Sequence, residues 1–269
     1  MQLRLPVDRA GGYKSLSRRA GLITEAWAEE NLYCAACTSP RLTRAAPNTE
    51  AIDFTCPKCE SPFQLKGQAR PIGRRIPDAA YAAIYRAVTE RRTPNLLAMH
   101  YDPFEWSVRS LFLFPRFVIS LSMIEKRKPL SATARRHGWV GCDFALDRLP
   151  ADAKIPLVLD GSPLPARVVR EQYRRLRPLE KLGHEGRGWT MDVLNVVRSL
   201  GKVEFSLDEV YAFADDLGRL HPRNRHVDDK IRQQLQRLRD LGLLQFVRPG
   251  QYASTFARHG ERKPNHRLS

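Results

Sequence analysis

Two pairs of cysteines constrain this chain more than any other feature. Cys34-Ala-Ala-Cys37 and Cys56-Pro-Lys-Cys59 are separated by eighteen residues. Each C-x2-C turn presents two sulfurs from one tight bend, and two such turns can close a tetrahedron of thiolates around one Zn2+. Four thiolates leave no open coordination position, so the site is expected to be structural rather than catalytic. Its metal would contribute folding free energy on the order of 10 kcal/mol. The competing use of the same residues is two disulfides. The N-terminus, Met1-Gln-Leu-Arg-Leu-Pro, lacks the apolar core of a signal peptide, and cytosolic thiols stay reduced. The fifth cysteine, Cys142, reads as a small buried residue.

The chain has 269 residues, enough for one large domain or two ordinary ones. Hydrophobic residues make up 42%, which excludes a wholly disordered basic protein. The most apolar stretch, Ser110 to Ile124, is broken by Pro115 and Arg116, so no membrane span is expected and a cytoplasmic location is. Lys and Arg number 45 against 29 Asp and Glu, a net charge of +16, which implies a polyanionic partner, most often nucleic acid. Residues 1–184 carry +12 of this and residues 185–269 carry +4. The basic residues cluster at Lys66–Arg75, Lys126–Arg136 and Arg167–Lys181. The third cluster, with its prolines and the glycines that follow, reads as an arm and linker between two domains. The tail 255–269 is basic, lacks periodic apolar residues and reads as disordered.

Short alternating segments flank the second cysteine pair. Ala51-Ile52-Asp53-Phe54 and Phe63-Gln64-Leu65-Lys66 read as strands, which puts Gln64 and Lys66 on one face. Asp53, Gln64 and Lys66 have the spacing of a PD-(D/E)XK nuclease centre. There carboxylates hold Mg2+ beside the scissile phosphate and a lysine stabilises developing charge. By itself this spacing also fits a surface hairpin with an ordinary Asp and Lys.

Longer segments carry a resemblance. They include Leu22-Ile23-Thr24-Glu25-Ala26-Trp27, the two cysteine pairs flanking Asp53, Asp78-Ala79-Ala80-Tyr81 and Arg127-Lys128-Pro129-Leu130. Further on come Thr133-Ala134-Arg135-Arg136-His137-Gly138-Trp139-Val140-Gly141-Cys142, Arg187-Gly188-Trp189-Thr190 and Lys230-Ile231-Arg232-Gln233-Gln234-Leu235. From about residue 13 to 252 the chain resembles the DpnI family of methyl-directed restriction endonucleases. The resemblance implies an α/β PD-(D/E)XK core with an inserted four-cysteine zinc site, followed by an α+β winged-helix domain. It also implies Mg2+-dependent cleavage of double-stranded DNA at GATC sites containing N6-methyladenine. The family pattern has Glu where this chain has Gln64. The amide oxygen can still face Mg2+ but brings no charge. Glu25, on the first helix, is a candidate accessory ligand or water-positioning group, against a plain solvated helix residue.

For DNA contact, Arg135, Arg136 and Trp139 combine two cations with an aromatic ring able to pack on a base or a methyl group. The alternative for Trp139 is a core residue.

The C-terminal third reads as a winged helix. Thr190 is placed as the cap of its first helix, with Val193, Val196, Val197 and Leu200 inward. Ser206 and Glu209 form a capping box, with Phe205 and Val210 as a hydrophobic staple. A third helix is expected from about Val227 to Leu241, closed by Gly242 and followed by a hairpin wing. Near its start, Asn224, Arg225, His226, Asp229, Lys230 and Gln233 are candidate readers of base edges.

Elsewhere, Leu16, Ala20, Ile23 and Trp27 mark one face of a first helix, and a second helix is expected from about Asp78. The expected divisions are 1–182 for the nuclease domain, 183–254 for the winged helix and 255–269 for the tail. No protein partner is implied and a monomer is the default. Two rival functions remain on the same residues: a non-cleaving reader of methylated DNA with a decayed centre, and a nuclease with another DNA substrate.

Overall fold

The computed structural model describes residues 1–13, 15–46 and 49–255, apart from the side chains of residues 184 and 185. The expected disordered stretch at 256–269 lies outside the described residues. The chain divides into two compact units, Met1–Asp192 and the remainder from Val193.

The first unit is built on a seven-stranded sheet. It contains β1 (Thr43–Arg44), β2 (Phe54–Thr55), β3 (Pro62–Gln68), β5 (Asn95–Asp102), β6 (Ser107–Phe114), β9 (Ile155–Leu159) and β10 (Ser162–Pro163), in that spatial order. Among the described residues of this sheet only the β3–β5 pair is parallel, with Gln64 opposite Leu96 and Lys66 opposite Ala98. Parallel neighbours need a crossover, and the intervening chain supplies β4 (Arg75–Ala80) and helix α2 (Tyr81–Thr89). β4 joins a second, antiparallel sheet in the order β4-β8-β7, with β7 at Ile124–Lys126 and β8 at Gly141–Ala145. The centre of the large sheet is apolar on both faces. Leu96 to Met99 and Leu111 to Phe114 are all buried, as expected of strands covered on two sides.

Helix α1 (Leu16–Asn31) packs on this sheet through Ile23, Trp27 and Ala28. The Trp27 indole donates to the Gln2 carbonyl at 2.8 Å. Gly67 permits the close approach of α1 to β3, since a Cβ there would lie 3.1 Å from the Thr24 methyl. The expected α1 face is right in its second half only: Leu16 is 76% exposed at the first turn. Thr24 is buried beside Ile23 and returns its hydroxyl to the Ala20 carbonyl at 2.9 Å.

Two further expectations are corrected. Asp78 does not open a helix; it lies in β4, opposite Cys142 of β8, and α2 starts at Tyr81. Arg167–Lys181 is not a linker. It is helix α3 (Ala166–Leu176) followed by a short 3-10 turn, and Val169, Tyr173, Leu176 and Leu179 are buried in the first unit. Arg174, Arg175 and Arg177 between them are exposed, which gives the segment its polar character.

Helix α4 (His184–Ser199) leads into the second unit. Thr190 is not its cap. It lies mid-helix, and its hydroxyl bonds back to the Gly186 carbonyl at 2.7 Å. Val193, Leu194 and Val197 are buried, while Val196 and Leu200 are half-buried. The helix that the Ser206–Glu209 box opens is divided into α5 (Leu207–Tyr211) and α6 (Ala214–Leu220). Its capping box forms in both directions, Glu209 N to Ser206 Oγ at 3.2 Å and Ser206 N to Glu209 Oε2 at 2.8 Å. Phe205 and Val210 are buried beside it. Helix α7 (Val227–Asp240) buries Ile231, Gln234, Leu235 and Leu238, and Gly242 ends it with φ of 74°. Strands β12 (Leu244–Arg248) and β13 (Gln251–Ser254) form the wing, joined on β13 by β11 (Glu204–Ser206). Among the described residues no helix is long and apolar enough to cross a membrane.

Candidate active centre, cysteine cluster and DNA-facing residues

The four paired cysteines converge. Their sulfurs all lie within 4.8 Å of one another, with Cys34–Cys59 at 3.6 Å and Cys37–Cys56 at 3.5 Å. A tetrahedral Zn2+ with Zn–S bonds of about 2.3 Å needs sulfurs roughly 3.8 Å apart, so the set can hold a metal such as zinc. All five cysteines are free, which excludes the paired-disulfide reading for this structure. Backbone amides already serve the sulfurs: Ser39 donates to Cys37 at 3.4 Å, and Lys58 and Cys59 donate to Cys56 at 3.4 and 3.5 Å. Burial opposes ionisation of Cys56, but the amides of Cys59 and Lys58 and the adjacent sulfurs outweigh it and its thiol falls to about 6. Burial pushes the Cys34 thiol up. Arg170 of α3 grips the first turn from outside, with Nε on the Cys34 carbonyl at 3.0 Å and Nη2 on the Ser39 carbonyl at 2.9 Å. Its guanidinium also covers the Tyr33 ring at 5.2 Å. Sequence reading missed Arg170 because it lies 136 residues from Cys34.

The second cysteine turn connects β2 to β3, and this sets the acidic centre. Asp53 immediately precedes β2, and Phe54 pairs with Phe63. The Asp53 amide donates to the Phe63 carbonyl at 2.9 Å. Its carboxylate Oδ2 accepts the Leu65 amide at 2.7 Å. Asp53 is thereby pinned to the residue between Gln64 and Lys66. Burial raises its pKa most, the Leu65 amide and Lys66 lower it, and Asp78 raises it again. Gln64 is buried and Lys66 half-buried, and both side chains reach the same group, Asp78 of β4. The Gln64 amide donates to Asp78 Oδ1 at 3.2 Å, and the Lys66 ammonium pairs with that same oxygen.

Glu25 on α1 lies near enough to Asp53 for their charges to interact. Burial raises its pKa, Arg44 opposes the rise, and Asp53 adds to it. Arg44 of β1 bridges Glu25 at 3.3 Å and Glu29 at 2.8 Å. Cys142, opposite Asp78 in the second sheet, is fully buried and directs its thiol to the Ala79 carbonyl at 3.6 Å. Burial first and Asp78 next push its pKa up to about 12, in keeping with an inert core residue.

The basic loop joining β7 to β8 is tied down at both ends. Lys126 is opposite Cys142, and the Tyr81 amide donates to the Val140 carbonyl at 3.0 Å. Arg135 and Arg136 are exposed, and Gly138 supplies the positive φ of 76° the loop needs. Trp139 is neither free nor core. It is half-buried, with the Arg136 guanidinium 4.8 Å over the ring and the Gly141 backbone close to the indole. A Cβ on Gly141 would come within 2.7 Å of the indole.

In the second unit, Arg225, His226, Asp229 and Gln233 are exposed at the start of α7. Arg225, His226 and Asp229 line an open groove with Arg219 and Asp215. The half-buried Lys230 donates to Gln233 Oε1 at 2.7 Å. The side-chain oxygen of Asn224 accepts the His226 amide at 2.7 Å, which commits it to the turn before the helix.

These features define a class: a mixed α/β nuclease-type core carrying a four-cysteine metal site, joined to a C-terminal helix-turn-helix domain with a wing. The profile of the family described as DpnI, the Dam-replacing family, matches residues 1–182, and that of the Dam-replacing HTH domain matches residues 185–254. The chain belongs to the DpnI family, a restriction endonuclease family whose two domains imply DNA binding.

Proposed function

We propose that this chain is a methylation-dependent type II restriction endonuclease, hydrolysing double-stranded DNA at GATC sites that contain N6-methyladenine. The observation that carries the chemistry is the convergence of Asp53, Gln64 and Lys66, with Asp53 fixed on the Leu65 amide between the other two. The donor set suits a hard divalent cation such as Mg2+. Asp53 keeps one carboxylate oxygen free of hydrogen bonds among the described residues, and Gln64 can offer its amide oxygen. Such a cation, when bound, polarises the scissile phosphate and acidifies the attacking water. Lys66 stabilises charge on the phosphoryl oxygens as the P–O bond breaks. Glu25, beside Asp53, orients the water or accepts its proton.

Cys34, Cys37, Cys56 and Cys59 hold a structural Zn2+ that fixes the turn between β2 and β3, and so the distance from Asp53 to Gln64. Arg135 and Arg136 hold phosphates, and Trp139 packs on the methylated base. Asn224, Arg225, Asp229, Lys230 and Gln233 form a second reading set at the start of α7. We assign the nuclease domain to 1–182, the winged helix to 183–254, and a monomeric, cytoplasmic enzyme.

Gln64 favours one rival, a reader of methylated DNA that does not cut. Plasmid DNA with and without adenine methylation, incubated with protein and Mg2+, separates the two. The nuclease reading expects only the methylated plasmid to be cut, into fragments ending at GATC. Selective retention of methylated DNA without cutting favours the reader, and cutting that ignores methylation contradicts both.

A further inference from the structure

Asp78 is not explained by the motif of Asp53, Gln64 and Lys66. Its side chain is wholly buried (0% exposed). Oδ1 takes both the Gln64 amide and the Lys66 ammonium. Oδ2 is also buried and has no hydrogen-bond partner among the described residues. An anionic oxygen left unsatisfied in a protein interior is costly, and where one persists a ligand is a natural cause. The same centre is short of negative charge, because Gln64 is neutral where a hard cation prefers carboxylates. The unpaired oxygen and the missing charge therefore lie within one hydrogen bond of each other.

We propose that Asp78 supplies the second anionic ligand of the divalent cation, in place of the carboxylate that Gln64 does not bring. This rests on the nuclease reading above. Gln64 belongs to the large sheet, Asp53 immediately precedes its strand β2, and Asp78 belongs to the small sheet, so the ligand set joins the two sheets of the first unit. Gln64 is then chiefly a positioning residue, whose amide orients the Asp78 carboxylate. Lys66 pairs with the same carboxylate, so a cation that shared Asp78 would free the ammonium for the phosphate.

The test is Mn2+ binding to the zinc-loaded full-length protein, read from the electron paramagnetic resonance of the free ion. Asp78→Asn should weaken Mn2+ binding roughly tenfold or more. Adding Gln64→Glu to that variant should restore it toward the wild-type value. Unchanged affinity in Asp78→Asn overturns the proposal, as does a folded, zinc-loaded double variant that stays weak. If Asp78→Asn alone fails to fold, the double variant decides it by comparison with Gln64→Glu alone: weaker Mn2+ binding in the double variant supports the proposal and equal binding overturns it. Wild-type protein that binds no Mn2+ overturns it as well. Cleavage is scored separately. Protein that binds Mn2+ through Asp78 but cuts no DNA keeps this assignment and removes the nuclease reading. Protein that cuts while Asp78→Asn retains full Mn2+ affinity does the reverse.

Discussion

Gln64 donates its side-chain amide to Asp78 at 3.2 Å, across the gap between the two sheets of the first unit. A glutamate in that position would face a carboxylate instead. Two acids sharing a buried site cannot both ionise freely, so one is forced to hold a proton.

Gln64→Glu therefore has opposite effects with and without metal. In metal-free protein at neutral pH it should lower stability by about 1–3 kcal/mol, the cost of a lost hydrogen bond in a buried site. That loss should shrink as pH falls, because protonating the pair relieves it. Added Mg2+ should reverse it, and cleavage at limiting Mg2+ should rise. Thermal melts with and without Mg2+ at two pH values read the first effect, and initial rates read the second.

The cysteine cluster depends on a residue far from it in sequence. Arg170→Ala removes both donors to the Cys34 and Ser39 carbonyls, and should cost about 2 kcal/mol with faster loss of zinc to a chelator. Arg170→Lys should restore little, because an ammonium cannot reproduce the planar fork. Zinc release followed by a metallochromic dye checks both variants.

The turn between β5 and β6 carries its own pH dependence. Asp102 receives Arg109 at 2.8 Å and the amides of Phe104 and Glu105 at 2.9 and 3.1 Å. The Arg109 guanidinium first, and then those amides, hold its carboxyl down at about 2. A lowered pKa means the contribution is present above the ordinary carboxylate range and lost as pH falls through about 2. Trp106, stacked on Tyr101 at 5.6 Å in the same turn, reports the change. Its fluorescence should shift with a midpoint well below that of an ordinary aspartate, and Asp102→Asn should remove that acid transition.

Trp139 is close to both Arg136 and Gly141. Trp139→Ala should slow cleavage of methylated DNA about tenfold, in line with the loss of one stacking contact, while fold and zinc content stay unchanged. Gly141→Ala should have a similar effect without removing the ring, by displacing it. Arg135→Ala should weaken binding to methylated and unmethylated DNA alike and reduce the salt dependence by about one phosphate contact. Unaltered cleavage in Trp139→Ala would remove this residue from the reading set.

The parts of this structure legible in the sequence are those set by short-range chemistry. The cysteine turns need only two tight bends, and the Ser206–Glu209 box closes within a single helical turn. Asp53, Gln64 and Lys66 follow from a strand period of two across one turn. Asp78 was hidden because its meaning depends on β8, more than sixty residues later, and because an acid before Ala-Ala-Tyr resembles a helix start. Val169, Tyr173 and Leu176 have helical spacing, but the intervening arginines and flanking prolines give the segment the composition of a linker. Leu16 fits the apolar period of α1, yet at the first turn it has no sheet to cover it.

Cleavage of a short labelled duplex with one GATC site, followed in a single turnover with Mg2+, tests the function most directly. The duplex carrying N6-methyladenine should be cut at least a hundredfold faster than its unmethylated twin, and Asp53→Asn should abolish cutting of both. Equal rates on the two duplexes would contradict methyl-directed cleavage. Tight binding of the methylated duplex with no cleavage would mean that the centre around Asp53, Gln64, Lys66 and Asp78 does not perform hydrolysis.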